Sequence, residues 1–118
     1  MQDIILLGLN HKTAPIELRE RMTFAPEESV KGLCDLKKSV HVEEVLLIST
    51  CNRLEVLFIS NHADLAVSTV KGFLSEFKRI PLNKFESTLY IHQGDQAVNH
   101  LFRVAASLDS MVLGEPQI

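Results

Sequence analysis

The feature that most restricts the fold is a pair of apolar runs, residues 45–48 and 54–59, with five residues between them. Strands joined by so short a connection lie side by side and antiparallel, because a parallel pair needs a crossover of a dozen residues or more. The connection, Ser-Thr-Cys-Asn-Arg, contains neither Asn-Gly nor Asp-Gly, the pairs that favour a tight hairpin turn. We therefore expect a hairpin whose turn, around Cys51, has a chemical role besides reversing the chain.

Apolar patterning before and after this hairpin places it in a longer series of elements. The series is a strand at 4–9, a short helix at 15–22, a helix beginning at residue 26, strands at 43–50 and 54–60, a helix at 63–79, a strand at 87–94 and a helix from 95 to about 113. Without the short helix, the first 93 residues read β-α-β-β-α-β, the order typical of the ferredoxin-like split βαβ fold. We predict an α+β domain over residues 1–93, with an antiparallel sheet and helices on one face, and a helical extension over 94–118.

The two cysteines, Cys34 and Cys51, receive different predictions. On the second helix, Val30, Leu33 and Cys34 share one apolar face, so Cys34 is predicted to be a small core residue. Cys51 lies at a strand end, where reactive groups are common, and a neighbouring cation such as Arg53 would favour its thiolate. The residues alone leave two interpretations of Cys51 open: a nucleophile, or a cysteine that only fills the end of a hairpin.

The last helix carries a polar stripe along the edge of its apolar face. The members of this stripe, three or four residues apart, are His100, Arg103, Ser107 and Ser110. Asp109 falls inside the apolar arc, where a carboxylate needs a partner, and Arg53 is a candidate for that partner.

Polar and basic clusters also occur outside the hairpin and the last helix. The segment 10–13 follows the first strand, and the predicted fold does not require it to adjoin the turn at 51–53. The basic pairs are interpreted as solvated surface; they are Arg19/Arg21, Lys37/Lys38 and Lys78/Arg79.

Composition argues against several classes of function. The 118-residue chain carries a net charge of −3, which argues against a domain that binds nucleic acid by bulk electrostatics alone. No apolar run approaches the roughly 20 residues that span a bilayer, and nothing marks a secretory signal, so a reduced, cytoplasmic setting is expected. The five histidines are scattered and no Cys-x-x-Cys motif occurs, so no metal site is expected.

Three separated motifs resemble those of one family. They are GLNHKTAPIELRER (8–21), STCNRLEV (49–56) and AVNHLFRVAASLDSMVLGEPQI (97–118). Together, in this order and spacing, they resemble the N-terminal catalytic domain of glutamyl-tRNA reductase over nearly the whole chain.

The resemblance implies an oxidoreductase of tetrapyrrole (porphyrin and heme) biosynthesis. In that family a cysteine, here Cys51, attacks the ester of glutamyl-tRNA and forms a thioester, from which hydride of NADPH releases glutamate-1-semialdehyde. The family's active-site histidine falls on His100. Its substrate-binding residues fall on Thr50, Cys51, Asn52, Arg53, Ser110, Glu115, Pro116 and Gln117. The residue types suit these roles, since the Arg53 guanidinium matches a carboxylate and an imidazole exchanges protons near pH 7.

One departure from the family limits what this chain is expected to do. It contains no Gly-x-Gly-x-x-Gly fingerprint, so the resemblance assigns NADPH binding to a domain that this chain lacks. The family's C-terminal dimerisation helices are missing too, and we expect thioester formation without hydride transfer. The implied partners are glutamyl-tRNA, a second subunit bound through those helices, and glutamate-1-semialdehyde aminomutase; no membrane is implied. The alternative is a non-catalytic ferredoxin-like module that binds a small ligand, with Cys51 incidental.

Overall fold

The computed structural model describes the backbone of residues 2–114 and the side chains of residues 2–107. Its elements are β1 (Asp3–Asn10), α1 (Ile16–Met22), α2 (Pro26–Lys37), β2 (Glu44–Ser49), β3 (Arg53–Ser60), α3 (Ala63–Lys78), β4 (Tyr90–Gln93) and α4 (Asp95–Gly114). The predicted order of strands and helices is confirmed. The last strand is shorter than predicted, because Glu86–Thr88 forms a turn of 3₁₀ helix before it.

The four strands form one sheet in the order β2-β3-β1-β4, and each neighbouring pair is antiparallel. The predicted α+β class with an antiparallel sheet is therefore confirmed. In this register Gly8 of β1 lies between Glu55 of β3 and Tyr90 of β4. Asn10, at the end of β1, lies opposite Arg53, at the start of β3.

One face of the sheet packs against α2 and α3 and contains the hydrophobic core. Since side chains alternate along a strand, every second residue of β1 and β3 points to this face. The cluster includes Ile5, Leu7, Leu9, Leu54, Val56 and Phe58 from the sheet, and Leu36, Ala66, Val70 and Leu74 from the helices.

The opposite face of the sheet is partly covered by α4, which packs against β1 and β4. Gly94 turns the chain from β4 into α4 with a φ of 60°, a conformation that glycine adopts at little cost. Its N–H donates to the carbonyl of Ile4 at 2.8 Å, so α4 starts near the beginning of β1. From there the helix buries Ala97 and Val104 and brings His100 within hydrogen-bond distance of Glu55 on β3.

The prediction that Cys34 is a core residue is wrong. Its side chain is exposed, and Val30 on the same predicted face is 64% exposed. The buried residues of α2 are instead Gly32 and Leu36. A Cβ on Gly32 would lie 3.1 Å from the ring of Phe24 and from that of Phe73, so the helix presents its smallest residue to the aromatic side chains. Apolar periodicity missed this face because glycine carries no hydrophobic signal.

Candidate active site

The turn between β2 and β3 holds Cys51 outward. The Thr50 N–H donates to the Arg53 carbonyl at 2.9 Å, and the Asn52 N–H donates to the Thr50 hydroxyl at 3.1 Å. The side chain of Cys51 is exposed, and its carbonyl accepts a hydrogen bond from Nη1 of Arg19 on α1 at 3.0 Å. The thiol therefore lies on an ordered turn, accessible to a substrate, with a guanidinium bonded to its own backbone.

A buried carboxylate, that of Glu55, lies beside this turn. One of its oxygens, Oε2, lies 3.2 Å from Nη1 of Arg53 and 2.5 Å from Nε2 of His100, and it also accepts a hydrogen bond from the Tyr90 hydroxyl. The Glu55 side chain has no exposed surface. Because burying an unpaired charge costs several kcal/mol, the two potential cations and the phenol make this position possible. Glu55 thus joins β3, β4 and α4 at one point.

Gly8 gives the Glu55 side chain its path to these partners. A Cβ on Gly8 would lie 2.5 Å from the backbone oxygen of Leu54 and 2.7 Å from Cγ of Glu55. Both distances are shorter than real side chains tolerate, so the carboxylate crosses β1 where β1 has no side chain. The glycine is therefore required by the site as well as by the sheet.

Three aromatic rings surround the carboxylate on the α4 side of the sheet. The centroids of His92 and His100 are 4.7 Å apart, and the Tyr90 centroid is 5.4 Å from each of them. The pKa of Tyr90 is raised far above its usual range, mainly because the phenol is buried and next because it donates a hydrogen bond to Glu55. The pKa of His92 is lowered, mainly because the imidazole is partly buried and next because His100 and Arg103 place positive charge near it. The Tyr90 phenol is therefore a neutral donor at pH 7, and His92 favours its uncharged form.

We expect Tyr90→Phe to lower the free energy of unfolding by about 1.5–3 kcal/mol at pH 7, the range for hydrogen bonds to charged groups. Because the pKa of Tyr90 is raised in the folded state, this contribution is present below pH 10 and is lost as the pH rises through the folded-state value. Urea unfolding at pH 7 and above pH 10 measures both effects.

The chain offers an internal check on that prediction. Tyr90 is its only tyrosine, so the ultraviolet absorbance of phenolate reports this side chain alone. The folded chain is expected to titrate above the pH at which the urea-unfolded chain titrates. Equal titration curves of the folded and unfolded chain, or an unchanged urea midpoint in Tyr90→Phe, would contradict the stabilising hydrogen bond from Tyr90 to Glu55.

Arg53 and His100 also line an open cleft of about 290 Å³ at this end of the sheet. The other lining residues are Asn10, His11, Lys12, Arg103 and Val104. The segment 10–13 thus adjoins the start of β3, which the sequence reasoning did not require. The antiparallel pairing of β1 with β3 explains it, because the end of one strand then meets the beginning of the other.

The structure brings together some of the predicted site residues and leaves others apart. Arg53 and His100 meet on Glu55, whereas Thr50, Cys51 and Asn52 form the adjoining turn. Among the side chains of residues 2–107, Cys51 does not line the cleft, and no hydrogen bond joins its thiol to His100. The remaining predictions lie outside the described side chains. They concern Ser110, Glu115, Pro116 and Gln117, and the pairing of Asp109.

Sequence reasoning missed Glu55, Tyr90 and Gly8. One signal was available: Glu55 is a lone carboxylate within the apolar run 54–59, and it points to the same face as Arg53 two residues earlier. Its partners Tyr90 and His100 could not be read from the run, because β4 and α4 follow much later in the chain.

The described residues form neither a cluster of metal ligands nor a membrane-spanning helix. No group of three or more His, Cys, Asp or Glu side chains among them lies close enough together to hold a metal ion. Within the same part of the chain, no helix has the length and hydropathy needed to cross a bilayer.

Comparison with known proteins identifies the family of this chain. The family model described as "Glutamyl-tRNAGlu reductase, N-terminal domain" matches residues 7–118. The chain belongs to the glutamyl-tRNA reductase family. The predicted resemblance is therefore confirmed, and the chain corresponds to the N-terminal domain of that reductase family.

Individual members of the glutamyl-tRNA reductase family match nearly the whole chain. The reductase of Desulfatibacillum aliphaticivorans is 50% identical over 116 residues, which are 98% of this chain and 27% of that protein. The reductase of Thermodesulfovibrio yellowstonii is 47% identical over 122 residues, 98% of this chain and 28% of that protein. The chain thus spans about a quarter of the length of these relatives.

A solved structure supports the same family at the level of the fold. Glutamyl-tRNA reductase from Methanopyrus kandleri superimposes with a TM-score of 0.63 at 32% sequence identity. The superposition covers 99% of this chain and 25% of that chain. The α+β domain described above is therefore similar to one part of a larger enzyme.

Proposed function

We propose that this chain carries the acyl-transfer half of the glutamyl-tRNA reductase reaction, with Cys51 as the nucleophile. The observation that carries the proposal is the exposed thiol on an ordered turn, two residues before an arginine that shares a buried carboxylate with a histidine. Family membership supplies the substrate, an aminoacyl ester of glutamate and tRNA.

In the proposed step the Cys51 thiolate attacks the ester carbonyl carbon. A carbon–sulfur bond forms, the bond between that carbon and the ribose oxygen breaks, and the oxygen leaves as a hydroxyl after taking a proton. His100 is the proposed proton donor. Because its Nε2 faces Glu55, Nδ1 is the ring nitrogen left for the substrate. The product on the protein is a glutamyl thioester.

Arg53 is the proposed anchor of the substrate's side-chain carboxylate. A guanidinium has five N–H donors in a planar fork, and only Nη1 faces Glu55, so donors remain for a second carboxylate. Thr50, Asn52, Ser110 and the segment 115–117 complete the proposed substrate site. Glu55 and Tyr90 act as positioning residues, since they fix the Arg53 and His100 side chains before the substrate arrives.

The remaining expectations from the family extend this proposal. NADPH, bound by a domain outside this chain, would supply the hydride that converts the thioester to glutamate-1-semialdehyde for tetrapyrrole synthesis. We assign residues 1–93, with the strand order β2-β3-β1-β4, to a ferredoxin-like catalytic subdomain, and residues 94–118 to a helical extension towards that domain. The homodimer and the aminomutase partner belong to the full-length enzyme. A reduced, cytoplasmic setting stays a prediction from the cysteine usage.

Mass spectrometry of the chain after incubation with glutamyl-tRNA tests the nucleophile. We expect a mass increase of one glutamyl group on the peptide that contains Cys51, removable by hydroxylamine as thioesters are. Cys51→Ala is expected to abolish the adduct completely, because no other residue in the turn is a comparable nucleophile.

Cys34→Ala is the matched control, since Cys34 is the other exposed thiol of the chain and lies on α2. This variant should form the adduct as the unchanged chain does. An adduct that persists in Cys51→Ala would refute the assignment. No adduct at all, with equal slow alkylation of both thiols at pH 7, would favour the alternative of a non-catalytic binding module.

A further inference from the structure

Cations from three separate elements converge on the end of the sheet that carries Cys51. Lys12 follows β1, Arg103 lies on α4, and both side chains are exposed at the cleft. Arg19 of α1 donates hydrogen bonds to the Cys51 carbonyl at 3.0 Å and to the Ala14 carbonyl at 3.2 Å. Positive side chains thus lie both at the turn itself and in the cleft that Arg53 lines.

These cations lack carboxylate partners within the part of the chain that the structure describes. There the ion pairs of the lysines and arginines are Arg53–Glu55, Lys71–Glu86 and Lys78–Glu28, and none includes Lys12, Arg19 or Arg103. Yet the whole chain has a net charge of −3, with 15 acidic and 12 basic side chains. The lining of the cleft contains Lys12, Arg53 and Arg103 and, among the described residues, no carboxylate, so this part of an acidic chain is locally positive and suits an anion.

The shape of the cleft distinguishes between kinds of anion. At about 290 Å³, it lies at the lower limit of pockets that enclose small molecules, and it is open to solvent. Its lining is almost wholly polar, with Val104 as the exception. Such a surface suits the charged backbone of a larger ligand better than an enclosed apolar molecule.

We propose that Lys12, Arg19 and Arg103 bind the phosphates of the 3′-terminal nucleotides of the aminoacyl-tRNA. This inference rests on the proposed function, because an ester carbonyl placed on Cys51 brings its own ribose to the turn. The phosphodiester that precedes this ribose is then one nucleotide away, within the reach of long basic side chains. Arg19 is already held by two backbone carbonyls and therefore loses little freedom on binding.

Binding of unacylated tRNA to the 118-residue chain tests this inference without any reaction at Cys51. We expect Lys12→Gln/Arg103→Gln to weaken binding about a hundredfold at low salt, roughly tenfold for each charged contact removed. The slope of log K against log salt should fall by about 1.4, since each single-strand phosphate contact contributes about 0.7. Fluorescence anisotropy over a salt series measures both quantities.

Two controls make the result specific. Lys37→Gln/Lys38→Gln removes the same charge at the end of α2, before β2 begins, and should leave affinity and slope unchanged. A tRNA without its 3′-terminal CCA nucleotides should bind the unchanged chain as weakly as intact tRNA binds the cleft variant.

Three results would overturn the inference: no measurable binding by the unchanged chain, equal weakening by both double variants, or no effect of removing CCA. Each of these can occur while glutamyl-tRNA still forms the Cys51 adduct, and the adduct can fail while RNA binding persists. The two proposals are therefore tested separately.

Discussion

Glu55→Ala is expected to lower the free energy of unfolding by about 3–5 kcal/mol, the usual effect of removing one partner of a buried ion pair. The alanine leaves Arg53, Tyr90 and His100 facing a cavity instead of an acceptor. Glu55→Gln keeps the volume and one oxygen for these donors. It replaces Oε1, which has no hydrogen-bond partner among the described residues, with an amide that needs an acceptor. We therefore expect a smaller but measurable loss for glutamine.

Urea unfolding of these two variants, beside Glu86→Ala, is the appropriate measurement. Glu86 also forms an ion pair, with Lys71 at 3.0 Å, but its side chain is 49% exposed. Exposed pairs contribute about 0–1 kcal/mol, so this control should hardly change the urea midpoint. Equal effects of Glu55→Ala and Glu86→Ala would show that the buried carboxylate does not organise the site. Adduct formation at Cys51 should decrease in both Glu55 variants, because Arg53 and His100 lose their common anchor.

Gly8→Ala is expected to destabilise the chain by about 3 kcal/mol, at the upper end of typical overpacking effects. The added methyl group meets a backbone oxygen of β3, that of Leu54, which cannot rotate away, and the Glu55 side chain. Either β1 moves away from β3 or the carboxylate leaves its partners. In the second case the His100 imidazole loses its neighbour, which the ¹⁵N chemical shifts of the ring would report.

Gly72→Ala is the matched control, because a Cβ at Gly72 on α3 meets nothing within 4 Å. Replacing a glycine inside a helix by alanine generally stabilises it by about 0.5–1 kcal/mol. The two Gly→Ala variants should thus change the urea midpoint in opposite directions. Unchanged stability in Gly8→Ala would contradict the described path of Glu55.

The order of elements and the hairpin could be predicted because each rests on neighbouring residues. The run 54–59 is apolar enough to be a strand on its own, and the five-residue connection to 45–48 leaves only an antiparallel pairing. The position of Cys51 at the turn follows from the same local pattern. Its neighbours in space could be predicted only in part, since they depend on the pairing of distant strands.

Two cases show where local patterns gave too little information. Val30 and Cys34 were assigned to a buried face by spacing, but the aromatic rings that Gly32 accommodates come from outside α2. The role of Glu55 depends on β4 and α4, which begin 35 or more residues later, as its bond to Tyr90 shows. In both cases tertiary contacts decide, and single-sequence periodicity does not contain them.

The placement of Glu55 in an apolar strand also determines how β3 can pair with β1. Consecutive residues of β3 point to opposite faces, so a shift of the strand by a single position would turn Glu55 towards Leu36 and the other core residues. The shifted pairing would bury a charge without partners and move Val56 and Phe58 out of the core to the face that carries α4. Misaligned pairings of β3 with β1 are therefore less stable than the native one. A chain that forms the correct pairing also brings Glu55 to Arg53 and His100.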